Sequence, residues 1–192
     1  MKPLGLNPYK MNKKNDWKTL STKTVYENNW IHVKENQVIN PSGNNGIYGV
    51  VHFKNAAIGI VPLDAENNTY LVGQWRYALN EYSWELPMGG APTDDYLLHA
   101  QRELEEETGL KAKKWQNIMK LHTSNSICDE VGYVFLAQEL EQGEMQPEET
   151  ENLEIQKVPF QKAYEMVLNG EITDAISVAG ILRVKGILDK NK

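Results

Sequence analysis

The stretch GGAPTDDYLLHAQRELEEETGL, residues 89–110, combines a glycine-rich start with an acidic end. Its apolar residues recur at helical spacing, at Leu97, Ala100 and Leu104. We therefore expect a helix from about residue 95 to residue 108, with Thr93 or Asp94 as its N-cap and Gly109 directly after its C-terminus. The two glycines follow the strand-like run SWEL, which predicts a strand that continues into a glycine-rich loop.

The end of this helix holds four glutamates, Glu103, Glu105, Glu106 and Glu107. A helix C-terminus carries a partial negative charge, so carboxylates in the last turn destabilise it. Side chains three and four residues apart share a face, so Glu103, Glu106 and Glu107 project together and Glu105 points away. Arg102 precedes Glu106 by four residues and is placed to hold its carboxylate. Clustered carboxylates suit Mg²⁺ or Mn²⁺, and the alternative is a solvated acidic face.

The composition predicts one globular domain, with room for a small annex. The chain has 192 residues, of which 41% are hydrophobic and 24% are charged. Its net charge of -6 argues against binding to nucleic acid or to an anionic membrane. No apolar run reaches the roughly 20 residues of a membrane span, and the first residues lack the apolar core of a signal peptide. The single cysteine, Cys128, fits a reducing compartment, so we expect a cytoplasmic protein.

In the rest of the chain, the sequence pattern predicts mainly strands in the first half and strands interrupted by helices in the second. Residues 1–15 are expected to form a flexible N-terminal arm, and residues 16–50 an N-terminal β subdomain. In this subdomain, two alternating apolar runs flank the turn cluster NPSGNNG and predict a hairpin or a short sheet. Residues 51–192 hold further strand-like runs and two late helices, near 160–168 and 174–188. We expect an α+β fold with a mixed sheet between helices.

Residues 89–110 resemble the Nudix box, a glycine-loop-helix signature that ends in Arg-Glu-apolar-any-Glu-Glu-any-Gly-apolar. The carboxyl-terminal half matches at every fixed position, which are Arg102, Glu103, Leu104, Glu106, Glu107, Gly109 and Leu110. The first half departs from the signature, because Asp95 stands where the family usually has Glu and the spacing to Arg102 is one residue short. The resemblance implies the Nudix fold, an α/β/α sandwich with a mixed central sheet, here preceded by an antiparallel sheet.

In that family the helix carboxylates bind Mg²⁺ or Mn²⁺, the metal ions bridge a substrate diphosphate, and water attacks one phosphorus. The metal-binding residues that the resemblance implies are Glu103, Glu107, Glu106, Glu151 and Gly89. The catalytic residues that it implies are Glu149, Glu106 and Arg102. Glu106 is either a ligand or a residue that orients the other groups. The badly placed glutamates would then be explained as a site for cations.

The run LVGQWRYALNEYSWELPMGG, residues 71–90, looks like the ADP-ribose and nucleotide-sugar pyrophosphatase branch of this family. By this resemblance Arg76 contacts a phosphate or a ribose, and the alternative is a surface arginine on a strand. Glu85 orients Arg76, binds the sugar, or pairs across a sheet. Trp30 is a candidate to stack on the base, and the alternative is a buried core tryptophan. The branch usually forms homodimers, so we expect a homodimer here.

The acidic stretch PEETENLE precedes a late strand, where this branch has a glutamate-rich loop that supplies the base and a further metal contact. Glu149 is the candidate base and Glu151 the candidate ligand, while the alternative is a solvated loop. The run SNSICDE lacks the proline that often accompanies a preference for ADP-ribose. It therefore leaves GDP-mannose and other nucleotide sugars open as substrates.

The function expected from these residues is metal-dependent hydrolysis of the diphosphate of ADP-ribose or a related nucleoside diphosphate sugar. The expected products are a nucleoside monophosphate and a sugar phosphate. One alternative is a house-cleaning hydrolase of oxidised nucleoside triphosphates, which the N-terminal sheet and the QWRY run disfavour. The other is a sensor that binds nucleotide sugars without catalysis, which is expected to lose box glutamates that this chain retains.

Overall fold

The computed structural model describes residues 14–143 and 153–190. It divides at the boundary of His52 and Phe53 into an N-terminal and a C-terminal unit. In the described ranges, no helix has both the length and the apolar character that crossing a membrane requires.

The N-terminal unit is a three-stranded sheet in the order β1-β2-β3, formed by β1 (Lys18–Glu27), β2 (Ile31–Ile39) and β3 (Asn45–Phe53). The turn between β2 and β3 lies at the predicted cluster. Gly43 has a φ of 86°, which glycine adopts without steric penalty, and the Asn40 side chain accepts hydrogen bonds from the N–H groups of Ser42 and Asn44, each at 3.0 Å. The short sheet expected around this turn is present, and it gains β1 as an edge strand.

The C-terminal unit contains two sheets and three helices. Its strands are β4 (Ala56–Pro62), β5 (Asn68–Arg76), β6 (Glu81–Glu85), β7 (Met88–Ala91), β8 (Leu110–His122), β9 (Val131–Gln142) and β10 (Glu154–Pro159). Its helices are α1 (Tyr96–Thr108), α2 (Phe160–Leu168) and α3 (Ala175–Lys190). The sheet β7-β4-β9-β8 is mixed, because β4 and β9 run parallel and the other neighbours antiparallel. The sheet β10-β5-β6 is antiparallel.

Strand β4 shows how the helices cover both faces of the mixed sheet. Its side chains alternate in direction, so Ile58 and Ile60 pack in one apolar cluster with α1, and Val61 packs in another with α2 and α3. A side chain at Gly59 would overlap Ile176 of α3, so the glycine lets this helix approach the strand closely. The predicted α+β class and the sandwich of helices around a mixed sheet are confirmed.

Two local expectations were wrong. Gly89 and Gly90 form part of a strand, β7, and not a loop, because their backbones pair with Ile58 and Ala57 of β4. The N-cap of α1 is Asp95, whose side chain accepts the N–H of Leu98 at 3.2 Å. Thr93 does not cap the helix and instead bonds to Nε2 of His99 at 2.8 Å, and Asp94 bonds to the hydroxyl of Tyr96 at 3.1 Å.

Candidate active site

The first part of the site is built around the end of α1. Gly109 adopts a left-handed conformation with a φ of 68°, and its N–H donates to the carbonyl of Glu105. Glycine tolerates this conformation, so the helix ends there and β8 begins at Leu110. The acidic run therefore occupies the last turns of the helix, as its spacing predicts.

Glu103 and Glu107 lie on the buried side of this helix, where they are 8% and 1% exposed. A side chain at Gly89 would overlap the Glu103 carboxylate, so a glycine is required for this carboxylate to lie against β7. The N–H of Met88 donates to Oε2 of Glu107 at 2.9 Å. The helix thus presents two buried carboxylates to the start of one strand.

Arg102 connects two of the three carboxylates that share this end of α1. Its Nη1 donates to Oε2 of Glu106 at 2.6 Å, and its Nη2 pairs with Oε1 of Glu103. The same Nη2 donates to the carbonyl of Gly90 at 3.2 Å, which ties the arginine to β7. Arg102 therefore fixes the side chains of Glu103 and Glu106 relative to the strand.

This group of side chains has the chemistry that a divalent cation needs. Three carboxylates, those of Glu103, Glu106 and Glu107, share the helix end with one guanidinium, so negative charge is in excess. Excess charge among buried groups is costly, and a hard cation with oxygen ligands removes that cost. Within residues 14–143 and 153–190, no three His, Cys, Asp or Glu side chains are grouped so that they could hold a metal ion by themselves.

Arg76 and Glu85 form a second charged group, on the neighbouring strands β5 and β6. Nε of Arg76 donates to Oε1 of Glu85 at 2.8 Å, and Nη2 pairs with Oε2. The Glu85 side chain is 3% exposed and that of Arg76 36%. The pKa of Arg76 is raised, chiefly by the hydrogen bond to Glu85, while burial opposes the shift and the charges of Asp174 and Glu107 add to it. Arg76 is therefore not an isolated surface arginine, and a buried carboxylate fixes its position.

The segment 85–88 runs from one sheet to the other and links the two charged groups. Each of its residues has a hydrogen-bond partner: Glu85 bonds to Arg76, Leu86 to Oγ of Ser177 at 2.9 Å, Pro87 to the N–H of Ile60 at 2.9 Å, and Met88 to Glu107 at 2.9 Å. Ser177 is fully buried in α3. The sequence does not reveal the bond between Ser177 and Leu86, because a serine in an apolar helix gives no sign of a partner 91 residues away.

Three further site residues were predicted from the sequence. Trp30 lies in the N-terminal unit, in the connection between β1 and β2, and its 68% exposure shows that it is not a core tryptophan. Glu149 and Glu151 lie outside the described residues.

Comparison with known proteins matches both units of the chain. Residues 17–51 match the model of the nucleoside diphosphate sugar hydrolase N-terminal domain, and residues 53–177 match that of the NUDIX domain. A crystal structure of an ADP compounds hydrolase shares the fold, with a TM-score of 0.83 and 20% identity over 94% of this chain and 98% of that one.

Two curated relatives are similar over almost the whole chain. The ADP-ribose pyrophosphatase of Mycobacterium tuberculosis is 34% identical, and the alignment covers 90% of this chain and 84% of the relative. The ADP-ribose pyrophosphatase of Bacillus subtilis is 31% identical, with coverage of 91% and 97%. With a family model matched over most of its length and relatives above 30% identity, this chain belongs to the Nudix hydrolase family.

Proposed function

We propose that this protein hydrolyses the diphosphate linkage of ADP-ribose or a related nucleoside diphosphate sugar, such as GDP-mannose. The observation that carries the proposal is that the short segment 85–88 connects two charged groups. Buried carboxylates at Glu103 and Glu107 lie on one side of it and the Arg76–Glu85 pair on the other. The names of the two bacterial relatives support this substrate class.

Nudix hydrolases generally need a divalent metal ion, and we infer that this chain uses Mg²⁺ or Mn²⁺. The residues that would hold it are Glu103, Glu106 and Glu107, together with Gly89 and Glu151. A cation bound there supplies a positive charge for the diphosphate and lowers the pKa of a water molecule.

The contacts of Arg102 and Glu85 support the roles that we infer for them. Arg102 keeps Glu103 and Glu106 oriented, and Glu85 holds the guanidinium of Arg76 for contact with substrate. We infer that Glu149 accepts the proton of the attacking water. The exposed ring of Trp30 is available to stack on the base.

We also infer that the protein is a cytoplasmic homodimer. Its one cysteine fits a reducing compartment. The edge strand β1 is exposed along its whole length and carries apolar side chains, including Leu20, Val25 and Tyr26, that a second copy would cover. Light scattering should give the mass of a dimer, and a monomer at micromolar concentration would contradict this inference.

A substrate panel tests the proposed function directly. Purified protein is incubated with Mg²⁺ and ADP-ribose, GDP-mannose, ADP-glucose, UDP-glucose, diadenosine polyphosphates or 8-oxo-dGTP, and phosphate is measured after coupling to a phosphatase. We expect activity confined to the nucleotide sugars, because the buried carboxylates suit a cation that binds a diphosphate and Arg76 lies beside a cleft lined by hydrogen-bonding groups.

Each alternative function has its own outcome in this panel. Preferential hydrolysis of 8-oxo-dGTP would favour a house-cleaning enzyme. No hydrolysis with Mg²⁺ or Mn²⁺, combined with measurable binding of a nucleotide sugar by calorimetry, would favour a sensor.

The roles of Glu149 and Glu151 are separated by their glutamine variants. Glu149→Gln should lower kcat about 100-fold with little effect on KM, because a general base contributes to the reaction step and not to binding. Glu151→Gln should instead raise the Mg²⁺ concentration needed for half-maximal activity. If Glu149→Gln changes only the metal requirement, the two roles are exchanged.

A further inference from the structure

A cleft of about 360 Å³ lies between the turn that joins β5 to β6 and the start of α3. It contains the Arg76–Glu85 pair, and the residues around that pair that matter here are Tyr77, Ser83, Thr173 and Asp174. The segment 85–88 connects Glu85, in this cleft, to Met88, whose N–H donates to Glu107 of α1. No role was assigned to these four residues from the sequence.

The charge of the cleft does not favour a phosphate group. Arg76 supplies one positive charge, but Glu85 already binds its Nε and Nη2, and Asp174 adds a second carboxylate. The two carboxylates outnumber the guanidinium by one, so an anion entering the cleft would be repelled. A neutral ligand with many hydrogen-bonding groups avoids this repulsion.

The cleft also holds hydrogen-bonding groups that no other residue uses. Ser83 is 7% exposed, and its hydroxyl has no hydrogen-bond partner in the described part of the chain. Asp174 uses Oδ2 to accept the N–H of Ser177 at 2.7 Å, which leaves Oδ1 as an acceptor toward the cleft. The hydroxyls of Thr173 and Tyr77 likewise make no hydrogen bond within residues 14–143 and 153–190. These groups are available to bond to a ligand that enters the cleft.

We propose that this cleft recognises a sugar ring of the substrate through its hydroxyl groups, with Ser83 and Asp174 as the specificity-determining residues. The inference rests on the proposed function, since it assigns a subsite to one part of a nucleoside diphosphate sugar. Ring hydroxyls both donate and accept, so they match a serine hydroxyl and a carboxylate oxygen together. The ring is either the ribose of the nucleotide or the sugar beyond the diphosphate, because both present the same chemistry.

Two substitutions test the subsite. Ser83→Ala removes a hydroxyl that lines the cleft, and Asp174→Asn removes the charge while keeping a residue that caps helices equally well. Each should raise KM for the preferred nucleotide sugar about tenfold with little change in kcat, as expected for hydrogen bonds made to the substrate in both ground and transition states. Two control variants remove the same groups away from the cleft: Thr69→Val at the other end of β5, and Asp189→Asn at the other end of α3. The controls should leave KM unchanged.

Product inhibition shows whether the cleft binds the nucleotide ribose, the other sugar or a phosphate group. AMP, ribose 5-phosphate and inorganic pyrophosphate are each titrated as inhibitors of the wild type and of both variants. A tenfold weaker inhibition by AMP alone assigns the cleft to the nucleotide ribose, and the same loss for ribose 5-phosphate alone assigns it to the other sugar. The proposal is overturned if neither sugar phosphate binds more weakly, or if pyrophosphate loses affinity to the same extent.

The subsite can be tested even if the proposed function fails. If the wild type hydrolyses no nucleotide sugar, calorimetric binding of AMP, ribose 5-phosphate and pyrophosphate replaces inhibition as the readout, with the same expected pattern. Thermal unfolding of each variant checks that it is folded. Ser83→Ala carries the test alone if Asp174→Asn is unfolded, because its truncation leaves the end of α3 unaltered.

Discussion

Glu107→Gln should reduce turnover about 1000-fold, or ~4 kcal/mol in activation free energy, while the protein stays folded. Glu107 is 1% exposed, and its carboxylate belongs to the group that fits a divalent cation. Glutamine keeps an oxygen that can accept the N–H of Met88, so the structural contact at 2.9 Å is preserved. The substitution removes the negative charge and replaces the other carboxylate oxygen with an amide NH2 group, which cannot bind a cation. Because that charge lies in the last turn of a helix, beside Glu103 and Glu106, its loss should leave the melting temperature of the metal-free protein equal or higher.

The matched control is Glu105→Gln, in the same acidic run. The Glu105 side chain is 38% exposed and pairs with Lys111 at 2.8 Å, away from the other three carboxylates. Removing a surface pair of this kind has little effect, so activity should stay within about twofold of the wild type. Calorimetric titration with Mn²⁺ should show weaker binding for Glu107→Gln and an unchanged affinity for Glu105→Gln. Near-normal activity in Glu107→Gln would falsify the assignment of this carboxylate to the metal site.

The parts of the fold that depend on local spacing were predictable from the sequence. The helix expected near 95–108 is α1, because its apolar residues have helical spacing and Gly109 ends it. One of the strand-like runs expected in residues 51–192 is AAIGIVPLD, and it contains β4, each face of which meets a different apolar cluster. The two glycines at 89 and 90 were misjudged, because glycine predicts a turn locally and their strand exists only through pairing with β4.

For the site, too, only the contacts that depend on local spacing were predictable from the sequence. Helical spacing placed Glu103, Glu106 and Glu107 together, and the i to i+4 relation placed Arg102 on Glu106. Spacing carries no information on partners that come from other elements. The bond of Leu86 to Ser177 joins residues from distant parts of the chain, and Met88 uses only its backbone, which any residue other than proline provides. The connection between the two charged groups therefore depends on the tertiary fold and not on local spacing.

Arg76→Met should destabilise the protein by about 3 kcal/mol and abolish activity. The Glu85 side chain is 3% exposed, so removing its partner leaves a carboxylate almost fully buried without a compensating charge. The cost lies at the low end of that for buried ion pairs, because the Arg76 side chain is 36% exposed and water screens part of the interaction. Chemical denaturation should therefore show a lower midpoint with an unchanged slope.

The double variant Arg76→Met/Glu85→Leu separates the structural role of this pair from its functional one. With both charges replaced by apolar groups, the desolvation cost of Glu85 disappears, and stability should return to within about 1 kcal/mol of the wild type. Activity should not return, because the cleft then lacks the guanidinium that contacts substrate. If the double variant recovers both stability and turnover, the Arg76–Glu85 pair acts only to hold β5 against β6. Recovery of stability alone, with the melting temperature of the wild type and no hydrolysis, is the result that assigns the Arg76–Glu85 pair to substrate binding.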